Sequence, residues 1–572
     1  MFINIEVNNK TIKARRGETI LSALRRGGMD VPTLCHMKNF RPSGACRLCM
    51  VEMEGRDDLV PACSYPVEEW IKINTHSPRV LKARRTIVEL LLANHPDDCL
   101  YCDKNMSCEL QNLAEELHIH ERRFPGKRNR YRLDQSSSSL VRDPSKCILC
   151  GRCVRTCEEV QSVSAIDFVG RGNKMVIETA MSKSLNLSSC IHCGQCIMVC
   201  PTGALHEKNN YDEVLDALYD DQLHVVVQYA PSISVSIAEE FGIRPGKEVN
   251  ALLNAALRKM GFEKIFLTSF GADLASMECA AEFENRLEQN MDLPMFSSCC
   301  PSWIKYMEQF WPQYLHHLST CKSPQQMLGT LIKSYYSEIE EIPHEKLFSV
   351  AIMPCTSKKF EAQRVEMNQK GIPDIDVVLT TRELIKMIRL NGIDITSLEG
   401  ELPDQPFGTR SSSGKIFATS GGMSESVIRT LSREEENGMD TTIEFGKGNK
   451  DVKIVTRSYQ GKELKFAIVN GLREAKNLMQ ALSEGNLDYD FVEVMACESG
   501  CIAGGGQPYN NDEKIQKQRV KSLHEADAKD MIKVPSRNPA IKELFDKYFD
   551  YPGSEKSRKL LHTGYSPKET LI

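Results

Sequence analysis

Apolar and polar positions alternate with period two over Phe2–Val7 (FINIEV) and Lys10–Arg15 (KTIKAR), the pattern of two strands with one buried face each. Asn8-Asn9 between them predicts a tight turn. ETILSALRRGG then takes up helical spacing and stops at Gly27-Gly28. Strand, turn, strand, helix predicts a β-grasp module. From about residue 210 the pattern changes. Short apolar runs (LHVVVQYA, EKIFLTSF, LFSVAIMP, FAIVNG, FVEVMA) alternate with helix-like stretches such as SIAEEFG and ADLASMECAAEFENRLEQN. This predicts an α/β region with a largely parallel sheet. Functional loops of such sheets lie beyond the carboxyl ends of the strands.

At 572 residues the chain predicts three or four domains rather than one core. Its 72 basic and 77 acidic residues leave a net charge of −5, with no electrostatic case for nucleic acid or a membrane surface. The N-terminus alternates and is no signal peptide, and no apolar stretch approaches the roughly 20 residues of a membrane span. Twenty-two cysteines without a secretory signal predict reduced thiols that serve metals, in a cytoplasmic protein of a low-oxygen setting.

Nineteen of those cysteines fall into cluster spacings. Cys35, Cys46, Cys49 and Cys63 follow the β-grasp pattern. Four soft thiolates suit zinc or an iron–sulfur cluster, and the long first gap favours [2Fe–2S]. His95, Cys99, Cys102 and Cys108 lie in NHPDDCLYCDKNMSC. By ligand count they could hold zinc; flanking cluster motifs favour a His-ligated [4Fe–4S]. CILCGRCVRTC and CIHCGQCIMVCP repeat C-x2-C-x2-C-x3-C at an interval of 43 residues. In this two-cluster pattern the fourth cysteine of each run serves the other cluster. Cys147, Cys150, Cys153 and Cys200 then hold one [4Fe–4S], and Cys190, Cys193, Cys196 and Cys157 the other. Between the blocks, Glu121–Leu133 carries six Arg or Lys residues, either a solvated face or a dock for an acidic electron carrier. Gln135–Ser139 reads as a linker.

The last four cysteines, Cys300, Cys355, Cys497 and Cys501, sit in three distant loops: SSCCPSW, MPCTSKKFE and EVMACESGCIAGGGQP. Only a whole folded domain can bring them together, as a catalytic cluster requires and a small structural zinc site does not.

These three loops resemble the signature loops of [FeFe]-hydrogenases, and the resemblance runs the full length, nearest to the clostridial type with four accessory clusters. It implies a multidomain α+β and α/β fold. The β-grasp [2Fe–2S] ferredoxin-like domain would span 1–78, the His/Cys3 [4Fe–4S] domain 79–125, the two-[4Fe–4S] ferredoxin-like domain 138–209, and the catalytic domain 210–572. It implies that Cys300, Cys355, Cys497 and Cys501 hold a [4Fe–4S] cube, with Cys501 bridging to a diiron unit that carries CO, cyanide and a dithiolate amine. Buried cyanide nitrogen needs a donor, and Lys358 is the natural one. Ala230, Pro231 and Ser232, with Pro324 and Gln325, match the family's pocket segments. Met353, Met495 and Phe417 match residues that pack on the diiron unit. Cys299 matches the residue that hands protons to the amine, and Glu282, Ser319 and Arg286 match the route behind it. The implied activity is ferredoxin hydrogenase, 2H⁺ + 2e⁻ ⇌ H₂, with ferredoxin as partner and hydrogenase maturation proteins as assemblers. The rivals are a hydrogen-active subunit of an NAD(H)-linked complex, a hydrogen sensor, and an iron–sulfur assembly scaffold. A sensor would need a signalling domain, and few residues follow Pro508. Lys358, Cys299 and the pocket methionines oppose the scaffold.

The chain departs from the family at Cys279, where a glutamate is usual, and a thiol titrates several units higher than a carboxylic acid. Cys321 is surplus. FATSGGM replaces the usual F-G-A-T-G-G, and Glu498-Ser499 stand where a His-Gly pair is common. An acid there is expected to lower the cube's potential.

Overall fold

The computed structural model describes residues 1–128, 130–369, 371–432, 442–445, 452–510 and 512–569. Phe2–Val7 and Lys10–Arg15 pair antiparallel through a turn with Asn8 and Asn9 both at positive φ, 48° and 63°, a region asparagine tolerates. The helix Ile20–Arg26 begins at Thr19, whose Oγ1 accepts from Ser22 N at 3.2 Å. With Met50–Met53, Val60–Pro61 and Lys72–Asn74 these strands complete a five-stranded sheet. Ile3, Ile5, Val7, Leu21 and Leu24 fill its core. The helix Pro78–Asn94 follows, capped by Ser77, and delivers His95 at its C-terminal end.

Two antiparallel pairs, Leu140–Arg142 with Leu205–Glu207 and Asp167–Val169 with Val176–Glu178, frame the repeated cysteine runs. Gln135–Ser139 is not a linker. Ser137 and Ser139 are buried. Ser137 Oγ accepts from the N–H of Ser139 and Leu140 at 3.1 and 3.2 Å and meets His192 Nδ1 at 3.0 Å. A polar run turns inward when buried partners satisfy its hydroxyls.

Among the described residues the C-terminal half contains two large sheets besides the short antiparallel pair Asn368–Gln369 with Ile372–Pro373. One is wholly parallel, in the spatial order Lys264–Leu267, His224–Tyr229, Leu347–Met353, Val377–Thr380. The other is mixed: Met295–Phe296, Phe491–Met495 and Lys462–Asn470 run parallel, and Val452–Tyr459 and Thr442–Phe445 continue antiparallel. EKIFLTSF is a strand only as far as Leu267. Its last three residues open the helix Thr268–Gln289, because they pack against neighbouring helices rather than extend the sheet. The cores run across the expected boundaries. Leu140, Val163, Ile166 and Ile197 pack in one cluster with Trp303, Met307, Val492 and Val494, and Leu34 and Leu48 pack with Val88 and Leu110. Among the described residues no helix is long and apolar enough to cross a membrane.

Candidate metal centres and catalytic cavity

None of the 22 cysteines forms a disulfide. In the N-terminal set the Cys35 and Cys46 thiols face each other, as do Cys49 and Cys63. Cys46 N–H also reaches Cys35 Sγ at 3.5 Å. The hydrogen bond from Cys46 draws Cys35 down to about 4, and that from Cys49 draws Cys63 down to about 7, while Cys46 and Cys49 move up. Each pair shares a proton between its two sulfurs, and four thiols this close together fit a cationic centre.

His95 places Nδ1 3.0 Å from the Pro96 carbonyl, so Nδ1 donates and Nε2 keeps its lone pair. Nε2 is buried without a hydrogen-bond partner. An imidazole fixed by one nitrogen, with the other presented to an interior site, is the posture of a metal ligand. Burial raises Cys99 and Cys108, and the neighbouring Cys102 thiol raises both further.

The repeated runs form two cavities. Cys147, Cys150, Cys153 and Cys200 line one. Cys157, Cys190, Cys193 and Cys196 line the other, so each run contributes its fourth cysteine to its neighbour. Burial pushes Cys147 and Cys157 up to about 11 and Cys150 to about 12. Uncompensated thiolates would be costly there, and a bound metal would supply the compensating charge.

The catalytic cavity lies where strands of both sheets end. His224–Tyr229 leads into Ala230 and Pro231, and Met295–Phe296 into Cys299 and Cys300. Leu347–Met353 leads into Cys355, and Phe491–Met495 into Cys497. One cavity is lined by Cys300, Cys355, Cys497 and Cys501 together with Cys299 and Lys358. Ala230, Pro231 and Ser232 form one wall, Pro324 and Gln325 another, and Met353, Met495 and Phe417 close it with apolar surface. Ser232 Oγ and Gln325 Oε1 are buried without partners, in a cavity otherwise almost wholly apolar. Such atoms call for a polar ligand. Lys358 Nζ reaches Glu361 Oε2 at 2.8 Å and the Cys299 carbonyl at 3.3 Å. Burial pulls Lys358 down, but Glu361 and the surrounding thiols outweigh it and leave it above the ordinary lysine value, so it stays charged. The residues present therefore fit a metal cluster with anionic, hydrogen-bond-accepting ligands.

A polar chain joins the helix Thr268–Gln289 to the segment at Leu318 and Ser319. Arg286 donates to Glu282 Oε1 at 2.7 Å and to the Leu318 carbonyl at 2.8 Å. Ser319 Oγ donates to Glu282 Oε2 at 2.7 Å. The buried Cys279 thiol shares Ser319 and is pushed up by burial and then by Glu282. Cys299 is raised well above its usual value by burial and neighbouring thiols, and it packs on the apolar cluster that contains Cys279. Cys321, surplus in the sequence, is also part of this group, 3.6 Å from Glu282 Oε2. Glu498 is exposed, so solvent screens the charge expected to act on the cube.

Sequence reasoning missed Gln195. It stands between the cavity-lining Cys193 and Cys196, and its Nε2 donates to Cys497 Sγ at 3.1 Å and to the Ala503 carbonyl at 2.9 Å. The only signal was a lone amide inside an apolar cysteine run.

Residues 223–505 match the family described as iron only hydrogenase large subunit, C-terminal domain, and residues 513–568 match iron hydrogenase small subunit. Residues 2–78 match a 2Fe-2S iron-sulfur cluster binding domain. Residues 84–123 match the NADH-ubiquinone oxidoreductase-G iron-sulfur binding region, and 139–206 the ferredoxin-like domain of NADH-quinone oxidoreductase subunit 3. The chain is 40% identical to the NADP-reducing hydrogenase subunit HndD of Solidesulfovibrio fructosivorans over 100% of both chains. It is 37% identical to iron hydrogenase 1 of Clostridium pasteurianum over 98% of this chain and 99% of that one. Among solved structures, a variant of the [FeFe]-hydrogenase HydA1 of Chlamydomonas reinhardtii superposes with a TM-score of 0.57 at 33% identity, over 62% of this chain and 98% of that one.

Proposed function

This chain belongs to the iron-only hydrogenase family, and on that premise we propose that it interconverts protons, electrons and H₂, with ferredoxin as electron partner. The observation that carries the reading is the single cavity in which Cys300, Cys355, Cys497 and Cys501 meet Cys299, Lys358 and Ser232. The four cysteines would hold an iron–sulfur cube. Joined to a diiron unit with CO, cyanide and a dithiolate amine, the cube would supply the redox chemistry and a basic nitrogen when bound. Lys358 and Ser232 donate hydrogen bonds into the cavity, and Met353, Met495 and Phe417 exclude water. Cys299 passes a proton between the cavity and the polar chain of Cys279, Ser319 and Glu282, and Arg286 positions the Glu282 carboxylate. The four sets upstream serve as a relay of one [2Fe–2S], one His-ligated [4Fe–4S] and two further [4Fe–4S] clusters.

A second reading differs only in the source of the electrons. The full-length likeness to a subunit of an NADP-reducing hydrogenase, together with two NADH-dehydrogenase-type matches, favours an NAD(P)-linked complex of which this chain is the hydrogen-active subunit. Purification of native complexes separates the two. Maturation with hydrogenase-assembly proteins tests what they share. About twenty irons per chain are expected from these ligand sets, with infrared bands of metal-bound CO and cyanide and with H₂ evolution. Full iron without those bands would point instead to an assembly scaffold.

A further inference from the structure

Beside the polar chain, three side chains from three segments converge. Glu282 comes from the helix Thr268–Gln289, Cys321 from the segment after Ser319, and His562 from the end of the helix Glu555–Leu561. One ligand atom from each lies within 4.8 Å of the other two. The backbones of Cys321 and His562 pair as an antiparallel bridge, which fixes their spacing. Cys321 Sγ is 3.6 Å from Glu282 Oε2. Zinc takes sulfur at about 2.3 Å and nitrogen or oxygen at about 2.0–2.1 Å, so tetrahedral angles set a sulfur–oxygen ligand pair about 3.5 Å apart.

The imidazole is already oriented for such a role. His562 Nε2 meets Glu278 Oε2 at 3.0 Å. Glu278 is fully buried and is anchored by Gly553 N at 2.9 Å and Ser557 Oγ at 3.2 Å, and its Oε1 has no partner. A carboxylate that holds one imidazole N–H turns the other nitrogen into a ligand, the usual outer support of a zinc site. That other nitrogen, Nδ1, is covered only by Thr320 Oγ1 at 2.7 Å. Thr320 is exposed, so a cation can approach from solvent.

We propose that Glu282, Cys321 and His562, with water as fourth ligand, form a site for zinc or a similar divalent transition metal, and that metal held there stops Glu282 from relaying protons. The second half rests on the proton route proposed above. On binding, the Cys321 thiol loses its proton to solvent past Thr320, and a metal–sulfur bond replaces the S–H bond. The Thr320 and Ser319 hydroxyls leave Nδ1 and Oε2. Thiolate and carboxylate together balance the dication, and Arg286 keeps its bond to Oε1. No electron is transferred.

The test uses the matured full-length enzyme with zinc chloride. Zinc K-edge absorption reads zinc apart from iron. One zinc per chain is expected, with one sulfur and otherwise nitrogen or oxygen neighbours. Cys321→Ala should lose the sulfur neighbour, and Glu278→Gln should weaken zinc binding by about 10–100-fold. With an artificial reductant, zinc should slow H₂ evolution by about 10²-fold or more, reversibly on chelation, while Cys321→Ala resists, its rate with zinc matching its own rate without zinc. Zinc bound through several sulfurs, or bound equally by Cys321→Ala, overturns the site. Zinc bound by this set with turnover unchanged leaves the site standing and overturns the block, and with it the Glu282 route.

Discussion

At Cys279 the proposed proton route carries a buried thiol where a carboxyl group would exchange protons more readily. Its thiol is wholly buried and raised by burial and by Glu282, so it gives up a proton with difficulty at neutral pH. Cys279→Glu places a carboxylic acid beside Ser319. Such a group exchanges protons far more readily, so H₂ evolution with an artificial reductant should rise, most at low pH. A folded, fully metallated variant that is slower at every pH would remove Cys279 from the route. Glu282 behaves in the opposite sense. Burial pushes its carboxyl up, but Arg286, Ser319 and the Thr320 N–H outweigh burial and hold it below the usual value. A carboxyl lowered on folding stabilises the fold above its unfolded pKa and loses that contribution as pH falls through the folded pKa. Glu282→Gln should therefore cost about 1–3 kcal/mol at pH 7, and thermal melts of the two proteins should converge on acidification below about pH 4. That the repeated cysteine runs exchange their fourth members between two cavities was legible in the sequence, because the repeated spacing records the pairing directly. Gln195 and His562 were not, since their roles depend on segments hundreds of residues away.

The loops that carry the cavity were legible as elements. Apolar strand runs end directly before Cys355 and Cys497, and a parallel sheet gathers such ends on one edge. How closely the loops approach one another was not legible, because contact between irregular backbones leaves no periodicity. Gly505 shows the constraint. A Cβ there would lie 2.3 Å from the Cys193 carbonyl and 2.7 Å from Gly194 Cα. The GGG run after Cys501 thus lets the cavity loop touch the ferredoxin-like segment, where Gln195 bonds to Cys497. Gly505→Ala must part the two backbones. Overpacking of this kind typically costs about 1–3 kcal/mol. Electron transfer from the neighbouring cluster should slow, seen as delayed reduction of the catalytic cube in freeze-quench spectra, with both clusters still assembled. Unchanged kinetics would mean that the contact does not set the transfer distance.

Across the whole molecule, cores shared between the cysteine-motif segments make the modules less separable than their motifs. Where electrons enter also looks different from the basic run Glu121–Leu133. Arg122 and Arg128 pair with Asp97, and Arg123 pairs with Glu89, so half of that charge is spent on bracing the segment around His95. Cys99, one of the proposed ligands, is exposed, and Leu100, Tyr101 and Met106 near it in the chain are 87%, 88% and 88% exposed. Apolar side chains around a cluster ligand offer a partner a short transfer distance, and the ion-paired arginines nearby add orientation rather than strong attraction. Leu100→Ser with Tyr101→Ser should therefore lower kcat/KM for ferredoxin by about tenfold, the loss of one or two contact residues of modest energy. The rate with a small artificial reductant should stay unchanged. Salt dependence should remain shallow, because apolar contact rather than charge is lost. In a permanent NAD(P)-linked assembly the same pair of substitutions would release the partner subunit during purification and leave the hydrogen chemistry of the isolated chain intact. If neither ferredoxin turnover nor subunit retention changes, electrons do not enter beside Cys99, and the N-terminal four-cysteine centre becomes the point of transfer.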